Sequence, residues 1–190
     1  MSRSPRDTLR RMSAEAHQQH AAKQSKNRPV RCAVLTVSDT RTRDNDIGGD
    51  LVERLARDAG HAVIDRALVR DEPDAIREAM QRWLKREDID AILSTGGTGI
   101  AKRDTTIEVV RSLLTSELDG FGELFRMLSW EQVGAAAMMS RAVAGLTSRD
   151  AEGGGDTFIF AMPGSPNAVE TAMKNLIAPQ LSHLVWERRR

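Results

Sequence analysis

From Arg31 onward the chain alternates between short apolar runs and longer stretches whose apolar residues recur every three or four positions. "RCAVLTVSD" (31–39) is a β-rich run of strand length. In "GGDLVERLARDAG" (48–60), Leu51, Val52, Leu55, Ala56 and Ala59 share a helical face, and Gly60 stands where a left-handed residue commonly ends a helix. "HAVIDRALV" (61–69) predicts the next strand, and "PDAIREAMQRWLKRE" (73–87) a helix opened by Pro73, a residue suited to the first helical turn. "IDAILST" (89–95) predicts a third strand. Later, "GFGELFRMLSWEQVG" (120–134) reads as helix and "GAAAMMSRAVAGL" (134–146) as loop and helix. "DTFIFAMPG" (156–164) is a further strand, followed by one or two closing helices in "SPNAVETAMKNLIAPQLSHLVWERR" (165–189). Strands alternating with helices of this length predict a parallel sheet covered on both faces. The expected fold is a three-layer α/β/α sandwich with a mostly parallel central sheet, a single domain over residues 31–190.

Residues 1–30 break the pattern. They are polar and basic, with almost no large apolar side chains, and predict a mobile tail. Residues 1–31 carry eight Lys/Arg against Asp7 and Glu15, whereas the rest of the chain holds 20 bases against 25 acids. A mildly acidic body does not look like a nucleic-acid reader. Cys32 is the only cysteine, so no internal disulfide forms; it is expected in a strand as plain packing. No apolar run reaches the roughly 18–20 residues that span a bilayer, and the leader lacks an apolar secretory core. A cytoplasmic protein without membrane partners is expected. "SRDAEGGGD" (148–156) reads as an exposed loop.

The chemistry concentrates in "LSTGGTGIAKRDTT" (93–106). Glycines cost backbone entropy on folding, so three within four positions imply a backbone path or close approach that side chains would block. It is not a nucleotide P-loop, since Lys102 is followed by Arg103, and not a dinucleotide fingerprint, since Lys102 stands where the third glycine belongs. The loop reads as an anion cradle with free N–H groups on Gly96, Gly97 and Gly99. In an open parallel sheet, ligands bind beyond the carboxyl ends of the strands. "SDTRTRDNDIGGD" (38–50), "RDE" (70–72), "TGGTGIAKRD" (95–104) and "MPGSPN" (162–167) all fall there. Ser165 is a candidate helix cap before Pro166. Asp71 and Asp104 each follow a strand, and carboxylates from adjacent or next-but-one strands lie roughly 5–10 Å apart. That span suits magnesium on a polyphosphate, which typically uses one or two carboxylates plus phosphate oxygens and water.

"TGGTG...RD", "GFGELFR", "SRAVAG" and "AMPGSPNAV" together resemble the MoaB/Mog family of molybdenum-cofactor biosynthesis proteins, closest to its MoaB-type branch. The similarity runs from about Arg31 to about Leu184. It implies a molybdopterin-binding domain and, in active members, adenylylation of the pterin's terminal phosphate by Mg-ATP with release of pyrophosphate. The family's two acidic positions match Asp71 and Asp104, the implied catalytic and magnesium-holding residues. Gly96, Gly97, Thr98 and Gly99 would cradle nucleotide or pterin. The turn Pro163-Gly164-Ser165, together with Ser38, Asp39 and Ser140, would contact the pterin and its phosphate. Lys102 and Arg103 would neutralise phosphate charge. The resemblance also implies a homo-oligomer, a trimer or a hexamer, with "AAAMMS" (135–140) at a subunit contact and other proteins of the cofactor pathway as partners. Trp83, Trp130 and Trp186 are expected in the core or at subunit contacts. The alternative is a non-catalytic molybdopterin carrier or scaffold of the same fold.

Overall fold

Seven consecutive residues, Arg31–Val37, form β1, and all but Arg31 are buried. A strand that is apolar along its whole length can sit only where both faces are covered, in the interior of a parallel sheet. The computed structural model, which describes residues 29–148 and 156–189, places it there. The expected tail up to residue 28 and most of the 148–156 loop lie outside the described residues. The sheet has six strands in the order β2-β1-β3-β6-β5-β4. Beside β1 stand β2 (Ala62–Val69) and β3 (Ala91–Thr95), and β6 (Thr157–Met162) lies on the far side of β3, all four parallel. β5 (Val143–Thr147) runs antiparallel to β6, and the two-residue β4 (Ser116–Glu117) antiparallel to β5.

The two-residue period of the strands divides the core. Cys32 and Val34 of β1, Ala91 and Leu93 of β3, and Phe158, Phe160 and Met162 of β6 meet one helical layer. That layer comprises α1 (Ile47–Asp58), α4 (Asp119–Val133), α5 (Pro166–Ala172) and α6 (Ala178–Arg189). The alternate residues Ala33, Leu35, Ile92, Ile159 and Ala161 meet α2 (Pro73–Leu84) and α3 (Thr106–Leu113). Trp83 is fully buried in this second layer and Cys32 in the first, so the sandwich is the three-layer one expected. Gly60 ends α1's turn at φ +87, and Pro73 opens α2. Among the described residues, no helix is long and apolar enough to cross a membrane.

One expectation fails. "GAAAMMSRAVAGL" is not loop and helix: Gly134–Met139 forms a 3-10 turn, and Val143–Thr147 is a strand. Alanine-rich composition favours helix locally, but pairing decides here. A side chain at Gly145 would stand 2.4 Å from the Ser116 carbonyl oxygen, so only glycine lets β4 lie against β5. The antiparallel course has a positional effect. The start of β5, with Ser140 and Arg141 just before it, falls at the same edge as the ends of the parallel strands.

Candidate functional site

Strand order reverses between β1 and β3: the chain passes from β1 to β2 on one side and then to β3 on the other. Crevices open at such switch points, and a cleft of about 500 Å³ lies there. Its walls come from the ends of β1 (Thr36, Val37, Ser38), β3 (Thr95–Gly99) and β6 (Pro163, Gly164), with Ser140 and Arg141 closing one side. Ser38 anchors its own loop, its Oγ accepting from the N–H groups of Thr40 (3.3 Å) and Arg41 (3.2 Å).

The glycines are required for the blocked backbone path that the sequence implied. Gly96 (φ +94) and Gly97 (φ +61) both hold left-handed conformations. A Cβ on Gly96 would stand 2.2 Å from the Val37 carbonyl oxygen. One on Gly97 would stand 2.3 Å from Thr106 Oγ1 and 2.8 Å from Asp71 Oδ2. The space a side chain would fill is therefore taken by the protein itself. The Gly96 N–H is also committed, donating to the Met162 carbonyl at 3.1 Å, which removes it from the expected free donors. Beyond Gly97 the loop curls over Asp104, whose Oδ2 accepts from Ala101 N–H at 2.8 Å and lies 2.5 Å from where a Gly99 Cβ would be.

Asp71 sits behind this loop. Its Oδ1 accepts from the backbone N–H and the hydroxyl of Thr105, at 3.3 and 3.4 Å, while its own N–H donates to Asp39 Oδ1 at 3.1 Å. Oδ2 accepts no hydrogen bond among the described residues. Burial pushes the Asp71 carboxyl above the usual carboxylate range, the Thr105 bonds act against this, and the charges of Asp104 and Asp39 add to it. The charged groups that act on Asp71 are both acids, a surrounding that a cation would relieve. Among the described residues, no group of three or more His, Cys, Asp or Glu side chains could itself hold a metal ion. Asp71, with Oδ2 uncommitted, and Asp104 could supply at most the one or two carboxylates that magnesium arriving with phosphate and water would use.

Of the other predicted residues, Thr98, Gly99, Asp104, Ser140, Pro163 and Gly164 line the cleft together with Ser38. Asp39 is exposed and reaches the site through Asp71. Ser165 stands just outside the cleft lining, its Oγ accepting from Ala168 N–H at 3.3 Å as the cap of α5. Lys102 borders an adjoining shallow hollow of about 400 Å³ that shares Asp104 and Arg141 with the cleft, while Arg103 is exposed at the loop tip.

Sequence reading missed three charged residues at the cleft. Arg41 lines it with its guanidinium near the Asn45 carbonyl (3.3 Å). Asp46 is buried beneath it, accepting from Thr36 Oγ1 (2.6 Å), Gly49 N–H (2.9 Å) and Arg66 Nη2 (2.6 Å). Burial acts to raise the Asp46 carboxyl, but the bonds from Thr36, Arg66 and Gly49 outweigh it and hold the group below the usual range. Arg141 donates from Nε to the Thr98 carbonyl (3.0 Å), from Nη2 to the Asp104 carbonyl (2.9 Å) and from Nη1 to Glu108. It stood inside "SRAVAG", but nothing in the sequence marks a base whose partners are distant carbonyls.

A family model for a "Probable molybdopterin binding domain" matches residues 33–183. Molybdenum cofactor biosynthesis protein B of Bacillus anthracis is 44% identical over 180 residues, covering 94% of this chain and 99% of the relative. The protein of the same name from Staphylococcus aureus (strain MRSA252) is 51% identical over 164 residues, covering 85% and 93%. A crystal structure of a molybdenum cofactor biosynthesis protein B, 45% identical, superposes with a TM-score of 0.80 over 86% of this chain and 98% of that one. The tungsten cofactor synthesizing protein MoaB from Pyrococcus furiosus does so at 0.76, with 33% identity and 86% and 99% coverage.

Proposed function

The chain belongs to the molybdenum cofactor biosynthesis protein B family, and from that premise we propose that it transfers the adenylyl group of ATP to molybdopterin. A terminal phosphate oxygen of the pterin attacks the α-phosphorus, the bond to the β-phosphate oxygen breaks, and pyrophosphate leaves. The observation that carries this reading is the Asp71 carboxyl lodged against Gly97, within range of the Asp104 charge and without a compensating base. Such transfers ask a protein chiefly for positioning and charge neutralisation. Asp71 and Asp104 would hold Mg²⁺, which when bound supplies neutralisation of phosphate charge. The N–H groups of Thr98 and Gly99, with Ser38 and Ser140, orient the phosphates in the cleft, Arg41 adds positive charge to its wall, and Lys102 does so from the adjoining hollow. Pro163 and Gly164 form the wall on which the pterin rests.

A carrier reading is favoured by the family description, which names binding alone. The two separate in one assay: molybdopterin with Mg-ATP gives pyrophosphate if the protein is an adenylyltransferase, and bound pterin with no pyrophosphate if it is a carrier. We also propose a homo-oligomer in the cytoplasm. It is supported by the exposed apolar stripe Leu124, Met127, Trp130 and Val133 on α4, continuous with the exposed Met138 and Met139.

A further inference from the structure

Arg141 spends its whole guanidinium on one short stretch of chain. Nε reaches the Thr98 carbonyl and Nη2 the Asp104 carbonyl, so the two ends of the 98–104 loop are tied to one rigid fork. The remaining Nη1 pairs with Glu108, whose side chain is 60% exposed. An ion pair that open to water contributes little to stability. The two carbonyl bonds therefore give the better account of why the base stands where it does.

Each peptide unit is planar and trans, so its N–H points opposite to its C=O. The Asp104–Thr105 peptide offers its oxygen to Arg141 Nη2 at 2.9 Å and its N–H to Asp71 Oδ1 at 3.3 Å. One flat group thus joins the guanidinium on one side to the half-buried Asp71 carboxyl on the other. The Thr98–Gly99 peptide is held in the same way, its oxygen on Nε and its N–H turned away from Arg141. Arginine suits this post because its donors form a fixed planar fork, whereas lysine offers a single point of charge on a flexible stem.

We propose that Arg141 is a positioning residue: by gripping the Thr98 and Asp104 carbonyls it fixes both the Asp104 carboxylate and, through the 104–105 peptide, the Asp71 carboxyl. The role rests on the adenylyl-transfer reading only for its catalytic consequence; the grip itself is a property of the loop. The test uses the full-length protein and the variants Arg141→Ala, Arg141→Lys and Glu108→Gln. Amide hydrogen exchange over residues 97–106 is read by mass spectrometry, and binding of a non-hydrolysable ATP analogue by calorimetry at several Mg²⁺ concentrations. Arg141→Ala should speed exchange in this segment at least tenfold over any change in the strands, and weaken Mg²⁺-dependent nucleotide binding about tenfold. Arg141→Lys, able to meet one carbonyl at a time, should fall between, and Glu108→Gln should lie within about threefold of the parent. Unchanged exchange over 97–106 in folded Arg141→Ala, or acceleration shared equally by the whole chain, overturns the proposal, and Arg141→Lys decides it if the alanine variant does not fold. A parent that releases no pyrophosphate sinks the adenylyl-transfer reading and leaves the exchange result standing.

Discussion

Asp46 and Asp71 lie at the same edge of the same sheet, and their surroundings are opposite. Asp46 is 1% exposed and is met by a hydroxyl, a backbone N–H and the Arg66 guanidinium, so its charge is settled within the protein. Asp71 is met by one backbone N–H and one hydroxyl, with Asp104 and Asp39 as its charged neighbours. The first carboxyl is held below its ordinary range and the second above it. Acid residues at a ligand edge are thus of two kinds, and what separates them is whether a base faces them. The first kind maintains the wall; the second, on the proposed function, takes its partner from the bound magnesium.

Substitution should separate the two most sharply. Asp46→Ala removes the α1 cap and leaves Arg66 and Thr36 without their shared acceptor. Breaking a buried pair from one side costs about 3–5 kcal/mol, so the loss should appear as a large drop in unfolding midpoint. Asp50 and Glu53, which also bond Arg66, place the expected value toward the lower end of that range. Unimpaired stability in denaturant titration would abolish the distinction. Asp71→Asn and Asp104→Asn should do the reverse: stability nearly intact, pyrophosphate release down at least about a hundredfold, since metal-borne charge stabilisation is worth several kcal/mol. The double variant should be little worse than the worse single, because two residues serving one ion act as a unit. Parental turnover in both singles would remove these acids from the metal site.

Gly97→Ala sharpens the contrast from the side of the loop. The left-handed conformation costs a non-glycine residue about 1–2 kcal/mol, and the added methyl meets Thr106 and Asp71 directly. Stability should fall by at least that amount, and nucleotide binding should weaken because Asp71 is displaced. Normal nucleotide binding, measured by calorimetry, would show that Asp71 has no part in it. The smallest effect is in pH dependence. Asp71's folded pKa is raised, so the folded state holds the extra proton, and stability declines as pH rises from the ordinary carboxylate range through the folded value. Asp46 is depressed, so its stabilisation is present above the ordinary range and is lost as pH falls through the folded value. Thermal melts across acid pH should therefore lose the declining component in Asp71→Asn. An unchanged profile would mean that Asp71 carries no burden of repulsion.

Much of this was legible in the chain, and the failures have a common physical cause. β1 and β3 announce themselves because interior parallel strands are apolar on both faces, and the glycine loop because its backbone conformations exclude other residues. β5 does not, since its short run of small residues is a strand only through pairing with β6 and β4. The paired status of Asp46 was equally hidden: Arg66 lies 20 residues away in an edge strand, where a base normally reads as solvated. The committed N–H of Gly96 and the grip of Arg141 depend on carbonyls that every residue possesses, so composition carries no trace of them. What a sequence displays is which side chains are unusual; whether each is already satisfied is settled by the fold.

The antiparallel course of β5 has a practical consequence. Because its start closes the cleft, its end at Thr147 and the start of β6 at Thr157 lie at the opposite rim of the sheet. Sequence grafted between those two points, whether an affinity tag, a fluorophore or a reporter domain, would extend from the end of the molecule farthest from the acids. That connection is the natural port for watching the cleft at work while leaving its chemistry alone.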